Sequence, residues 1–364
     1  MCPQACWTSP LHSATIRVVI IQARCVNEND TIKLSHGSGG LQMQDLLRAR
    51  VWPRLDNEWL REQGDAAVLA CPAGAQAVFT TDSFVVQPLF FPGGDIGHLS
   101  VCGTVNDLAM MGAEPAALSL AFILETGFPV ESFDRIVESI AATARAACVA
   151  IVTGDTKVVE RGHADGMYIT TSGLGWKRGA APTGWRTVEP GDAVIVSGTL
   201  GHHGVAVLAA RNKLPFATEL RTDAAPLNGM VKALLDAHPD VRWLRDPTRG
   251  GLAAALNELA EQAGIEVVID EARVPVSPDV RGAAEVLGLD PLYLANEGRC
   301  VVVCPDAAAA GVVACLRAHE HGAGAARIGT VARRATPGRV LMKTLLGGTR
   351  IVDMPSGEQM PRIC

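Results

Sequence analysis

Five aspartates stand out by their neighbours: Asp65 in GDAAV, Asp82 in TTDSF, Asp107 in VNDLA, Asp155 in TGDTK and Asp246 in RDPTRGG. Three of them end or follow strand-like runs and sit among small or hydroxyl residues. Mg2+ is a hard cation that takes carboxylate and phosphate oxygens, so converging carboxylates would hold it against the phosphates of a nucleotide. Taken singly, each Asp serves equally well as a helix or turn cap. The loop SHGSGG, Ser35 to Gly40, exposes the backbone N–H groups of Gly37, Gly39 and Gly40, which suits phosphate. No Lys follows the glycines, so this is not a Walker A loop, and a flexible turn explains it as well. Lys157 offers a cation for phosphate or, with a lowered pKa, a base. Glu297 and Arg299 flank the glycine of ANEGR, where Glu297 is either a proton acceptor or part of a surface turn. The last residue, Cys364 in MPRIC, carries a thiol at the least ordered part of a chain. It is either a frayed end or an arm that delivers the thiol elsewhere.

These groups need elements to hold them. AVFTTDSFVV reads as a strand, Gly93 to Pro115 as a helix with apolar residues near a 3.6 period, AALSLAFIL as a strand and VESFDRIVESIAATARAAC as a helix. VAIVTGDTKVV reads as a strand running into a turn, and DGMYITTSGLGW as a further strand. VEPGDAVIVSGTLGHHG looks like a restart, which puts a domain boundary near Pro190. Helices follow near residues 227–237, 251–263 and 279–287, with RCVVVC and AARIGTVARR as strands. The alternation lacks a regular βαβ rhythm, so the fold class is α+β, two α/β domains of similar build. Residues 1–30 read as a disordered extension, 31–189 and 190–346 as the two domains, and 347–364 as a flexible tail.

The 364 residues are 48% hydrophobic and 19% charged, enough apolar material for two cores. A net charge of −6 argues against a nucleic-acid binder. No apolar run approaches the roughly 18 residues that span a membrane, and IRVVII near the start is too short for a signal peptide. The ten cysteines are scattered rather than densely spaced, which suits buried reduced thiols in a cytoplasmic protein.

Taken together, HGSGG, the stretch from TTDSF to MMGA, IVTGDTKVV, DPTRGGLA, ANEGR and the terminal PRIC resemble the HypE family of the PurM-like (aminoimidazole ribonucleotide synthetase-like) superfamily. The resemblance runs from about Ile32 to Cys364. It implies a homodimer with ATP at the dimer interface, and a carbamoyltransferase partner, HypF, that places a carbamoyl group on Cys364. The family then uses ATP to dehydrate that thiocarbamate to a thiocyanate, and the cyano group passes to iron on a HypC–HypD complex for [NiFe]-hydrogenase. By this resemblance Cys364, Lys157 and Glu297 carry the chemistry. Gly37, Gly39, Gly40, Asp82, Asn106, Asp107, Gly154, Asp155 and Thr156 contact ATP, and Asp65, Asp82, Asp107, Asp155 and Asp246 hold Mg2+, with Asp65 in the least family-like context.

The residue types suit that reaction. An amide oxygen leaves poorly, so phosphorylating it turns it into a leaving group, after which two protons must leave the nitrogen. Lys157 and Glu297 are the candidates for moving them. Lys157 is a base only if its pKa falls well below about 10.4; otherwise it steadies the phosphorylated oxygen and Glu297 takes the proton. Residues 347–364 can extend roughly 60 Å, enough to visit a partner and fold back. Two other functions share the same residues: a superfamily synthase acting on a free small molecule, of the selenophosphate- or aminoimidazole-forming type, and a non-enzymatic thiol carrier.

Overall fold

The computed structural model describes residues 31–177, 184–214, 220–356 and 360–364. The expected disordered extension, residues 1–30, lies outside these. Among the described residues no helix is long and apolar enough to cross a membrane.

Helical segments α1 (Leu41–Leu46), α2 (Trp52–Leu55) and α3 (Glu58–Glu62) precede a four-stranded sheet. Its strands are β1 (Gln76–Phe84), β4 (Glu114–Glu125), β5 (Ala150–Val159) and β6 (Met167–Lys177), in the order β1-β6-β4-β5. Only β4 and β5 run parallel. A small hairpin, β2 (Phe90–Phe91) and β3 (Gly94–Asp95), leads into α4 (Ile96–Met110). One face of the sheet is covered by α4 and α5 (Val130–Ala146): Leu99, Val105, Phe133, Ile136 and Ile140 pack with Leu120, Phe122 and Leu124 of β4.

Helix α4 is shorter than its sequence suggests, and the reason lies at both ends. Asp95 caps it by accepting from the N–H groups of Gly97 and His98. Gly112 takes a φ of +69°, after which Glu114 and Pro115 already belong to β4. The stretch TGDTKVV, expected to run into a turn, stays in β5 throughout, with Asp155 beside Ala121 and Lys157 beside Ile123 of β4.

The second sheet has seven strands: β7 (Ala193–Val196), β8 (Trp243–Arg245), β9 (Ile265–Asp270), β10 (Val301–Cys304), β11 (Ala326–Arg334), β12 (Arg339–Lys343) and β13 (Thr349–Val352). Their order is β13-β12-β9-β11-β7-β10-β8. The helices are α6 (His202–Arg211), α7 (Asn228–Ala237), α8 (Gly251–Ala263), α9 (Pro278–Leu287) and α10 (Ala309–Arg317). Val301 and Val303 face Leu252, Leu256 and Leu259 of α8, while Cys300, Val302 and Cys304 face Met230, Leu234, Val312 and Leu316 of α7 and α10. Burial on both faces explains why RCVVVC is apolar without alternation.

The tail differs from expectation. Thr349–Val352 is not loose: β13 pairs antiparallel with β12, Val340 opposite Val352, because a short β-branched run at a sheet edge finds its backbone partners there. The last residues are also held, as described next.

Candidate active site

The first sheet and the second half of the chain meet at a partly buried acidic pocket, with Asp246 and Glu297 buried and Asp82 and Asp107 half-buried. Asp82 enters on β1, Asp107 on α4, Asp246 just after β8, and Glu297 on the loop before β10. Asp107 accepts from the Thr80 hydroxyl at 2.7 Å and Asp82 from Thr104 at 3.3 Å. Burial, with the charge of Asp107 beside it, pushes the Asp82 carboxyl up to about 6. The same two causes bring Asp246 to about 7. Glu297 is 3% exposed and lies well above the usual carboxylate range, raised first by burial and then by Asp246, Asp223 and Asp82. Its Oε1 is buried without a hydrogen-bond partner. Arg249, exposed at its position in DPTRGG, is the cation that counters this field at Asp82 and Glu297.

Asn106, expected at the nucleotide, ties down backbone from the second half of the chain. It is buried, its Nδ2 donates to the carbonyls of Ala225 and Glu297 at 3.1 Å each, and its Oδ1 accepts from Leu227 N–H at 2.8 Å. With both Nδ2 hydrogens and one Oδ1 lone pair committed to backbone, Asn106 positions the Glu297 loop. Gly298 permits the same loop to close: a Cβ there would sit 1.8 Å from the Asp223 carbonyl oxygen.

The chain terminus docks in this pocket. Val85 N–H donates to the Cys364 oxygen at 3.1 Å and Gln87 N–H to the Arg362 carbonyl at 3.2 Å, a short antiparallel run beside the end of β1. Arg211 at the end of α6 donates to the carbonyls of Pro361 at 2.7 Å and Arg362 at 2.6 Å. His203 bonds the Ile363 carbonyl at 2.8 Å, and Arg362 pairs with Asp165. Ile363 is 2% exposed and joins the core under the first sheet. Burial, then Glu297, pushes the Cys364 thiol up to about 12, with Arg249 opposing.

A second group of expected residues lies elsewhere. Lys157 donates to both carboxylate oxygens of Asp155 at 2.6 Å, and that bond holds the Asp155 carboxyl below its usual range. The glycine loop lies against the same strand: a Cβ on Gly37 would meet Val158 N at 2.5 Å, and Gly39 has a φ of +77°. Gly154, Asp155 and Thr156 border a cavity of about 300 Å³ that is otherwise lined by Leu47, Trp52, Trp59 and neighbours, and exposed Asp65 lies between two of its lining residues. Asp155 is level with Ser83 through Ala121 and Thr170, three strand steps away, about 14 Å at normal spacing. Within one chain, Asp65 and Asp155 therefore stand apart from Asp82, Asp107 and Asp246, and Lys157 does not reach Cys364. The five-Asp set is not one cluster because β1 and β5 are opposite edges of one sheet. Among the described residues no three His, Cys, Asp or Glu side chains form a ready-made metal site.

Arg249, His203 and Arg211 escaped the sequence reading. DPTRGG and GHHG were visible as motifs, but no spacing distinguishes a residue that binds a distant backbone carbonyl.

Two family models cover most of the chain: AIR synthase related protein, N-terminal domain, over residues 63–176, and its C-terminal domain over 189–341. Among similar proteins are carbamoyl dehydratase HypE of Cupriavidus necator, 52% identical over 92% of this chain and 95% of that protein, and of Escherichia coli K12, 46% identical over 92% and 100%. A crystal structure of hydrogenase maturation protein HypE in complex with ATP is 44% identical, with a TM-score of 0.88 over 91% of this chain and 99% of its own. A HypE–HypF complex structure is 45% identical, TM-score 0.74, over 87% and 100%. Thiamine-monophosphate kinase from Stenotrophomonas maltophilia, 20% identical with a TM-score of 0.62 over 84% and 96%, shares the fold. By these matches and the docked PRIC terminus, the chain belongs to the HypE family of the AIR synthase related proteins.

Proposed function

We propose that the protein is an ATP-dependent carbamoyl dehydratase that converts an S-carbamoyl group on its own Cys364 to a thiocyanate, supplying cyanide for [NiFe]-hydrogenase iron. The observation that carries the reading is the terminal thiol seated in an acidic pocket beside a carboxylate, Glu297, with an unpartnered oxygen. An S-carbamoyl group on Cys364 would bring an NH2 donor to that oxygen.

ATP is a co-substrate. The carbamoyl oxygen bonds to the γ-phosphorus as the bond to ADP breaks. One proton leaves the nitrogen to give a C=N bond. The carbon–oxygen bond then breaks, phosphate departs, and the second proton leaves to give the nitrile. Glu297, as carboxylate, takes a proton from the nitrogen. Lys157 already donates to Asp155, so it acts as an ammonium that steadies the phosphorylated oxygen rather than as a base. Mg2+ rests on one or two carboxylates plus phosphate oxygens in such sites. Asp82 and Asp246, whose carboxyls are raised by burial and by the charge of Asp107, fit that donor type together with Asp107, since a cation would relieve their mutual repulsion. There the ion would neutralise phosphate charge, the positioning role that dominates phosphoryl transfer.

Lys157 needs a second copy to reach the thiol. The sheet face opposite α4 and α5 is uncovered: Phe79 is 71% and Ile123 40% exposed, and Asp155 and Lys157 lie at its edge. A second copy packed on it, with a two-fold axis along the strands, lays β5 of one chain opposite β1 of the other. That supports a homodimer with ATP between the glycine loop, Gly154–Thr156 of one chain and the acidic pocket of its partner. Residues 31–189 are then the nucleotide-binding and dimerising domain, and 190–346 the domain that closes the pocket. The carbamoyl donor is a HypF-like carbamoyltransferase, in keeping with the HypE–HypF complex, and the cyano acceptor a HypC–HypD-like iron scaffold. The described cysteines are all free thiols, which suits the cytoplasm.

The test is mass spectrometry of the carbamoylated C-terminal peptide after addition of MgATP. The expected result is loss of one water with one ADP formed, absent in Cys364→Ala. A cyano adduct that still forms on the Cys364→Ala chain refutes the thiol assignment.

A further inference from the structure

The His203 ring has one consistent hydrogen-bond direction. Its Nε2 lies 2.8 Å from the Ile363 carbonyl oxygen, which can only accept a hydrogen bond. The proton of the neutral ring therefore sits on Nε2, and Nδ1 accepts from the Thr222 hydroxyl at 2.8 Å, whose oxygen in turn accepts from Ala224 N–H at 3.0 Å. Thr222 is itself held, its N–H donating to the Pro92 carbonyl at 2.9 Å. Phe91 closes edge-on over the ring, centroids 5.6 Å apart at 90°, and His203 is fully buried. Burial also keeps the ring neutral by lowering its pKa. The same turn of α6 is tied to the loop that carries the proton acceptor: Gly201 N–H donates to Asn296 Oδ1 at 2.7 Å and Gly204 N–H to the Ala295 carbonyl at 3.0 Å.

We infer that His203 is the positioning residue for the reacting thiol. Its Nε2–H holds the peptide adjoining Cys364 in register with the Glu297 loop, and the Thr222 hydroxyl supports that tautomer by donating to Nδ1. It touches neither the reacting carbon nor ATP, so it is not a catalytic residue. The inference rests on the dehydratase reading for its kinetic consequence, but not for the docking itself.

The test compares wild type with His203→Gln, which keeps a donor at the reach of Nε2, and His203→Asn, whose amide is too short. Each full-length protein is carbamoylated by the carbamoyltransferase partner and then given MgATP in a single turnover. The Asn variant should dehydrate about 10-fold or more slowly, because a buried carbonyl loses its donor and the thiol its register, while Gln stays within about threefold of wild type. Carbamoylation, which uses the extended tail, should be equal in all three. A merely structural role would not split the two steps. In the unmodified proteins, alkylation of Cys364 should run faster in the Asn variant than in Gln. Dehydration by Asn within about threefold of wild type, or Gln as slow as Asn, overturns the inference. Equal Cys364 alkylation in all three overturns it as well, even if wild type shows no dehydration, an outcome that sinks the proposed function instead. If Asn is not recovered folded, Thr222→Val replaces it: loss of the hydroxyl leaves buried Nδ1 without its donor and loosens the ring from the Ile363 carbonyl, and an unchanged rate and alkylation refute the claim.

Discussion

Removing Arg211 should release the tail, and the size of the effect follows from its bonds. The guanidinium donates to Pro361 and Arg362 at 2.7 and 2.6 Å and to Gln87 at 2.8 Å, so two of its three bonds hold the terminus. At about 1 kcal/mol net for each, Arg211→Ala weakens docking by about 2 kcal/mol, roughly 30-fold in the equilibrium. Alkylation of Cys364 reads that equilibrium directly. Docking raises the thiol from 9.0 to about 12. At pH 8 the freed thiol is therefore about one-tenth thiolate and the docked one about a thousandfold less, so nearly all reaction comes from the undocked tail. Docking favours the protonated thiol, so its stabilisation is complete below pH 9 and is lost as pH rises through about 12. The assay is iodoacetamide labelling at pH 8, followed on the C-terminal peptide by mass spectrometry, with exposed Cys71 and Cys148 as references within the same chain. Cys364 should label up to about 30-fold faster in the variant, with the references unchanged. Equal labelling of Cys364 in a folded Arg211→Ala protein would refute the docking argument.

Glu297→Gln should accept the carbamoyl group normally but form no thiocyanate. In wild type, the raised Glu297 pKa means the base gains its charge later than an ordinary Glu, so single-turnover dehydration should still climb above about pH 5; a flat profile there would count against it. Gly298→Ala drives a Cβ into the Asp223 carbonyl, and should cost about 2 kcal/mol or more in a thermal melt; an unchanged Tm would show that the loop has slack. Phe79→Glu places a charge on the open sheet face and should give a monomer by size-exclusion chromatography with light scattering, with loss of ATP turnover; a dimer at the wild-type concentration range would place the interface elsewhere.

Much of this molecule is decided by local chemistry. Alternating runs such as TTDSF and the 3.6-period of α5 form their elements because each must hide one face. RCVVVC is apolar throughout because both of its faces are covered. Asp82, Asp107, Asp246 and Glu297 were visible as acids beside small residues, and Cys364 as a thiol on a short terminal motif. Chain order alone could not separate them from Asp65 and Asp155. All five aspartates follow similar local patterns, and only the strand order β1-β6-β4-β5 places Asp82 and Asp155 on opposite edges. The backbone role of Asn106 was hidden for the same reason: its amide looks free in the chain and bonds backbone groups more than a hundred residues away. The resting place of the tail, and the work of His203, Arg211 and Arg249, also depended on tertiary structure. A bond to a backbone carbonyl carries no side-chain signature at its acceptor. Sequence determines which groups can react; packing decides which of them meet, because long-range proximity is set by sheet order and buried partners rather than by spacing along the chain.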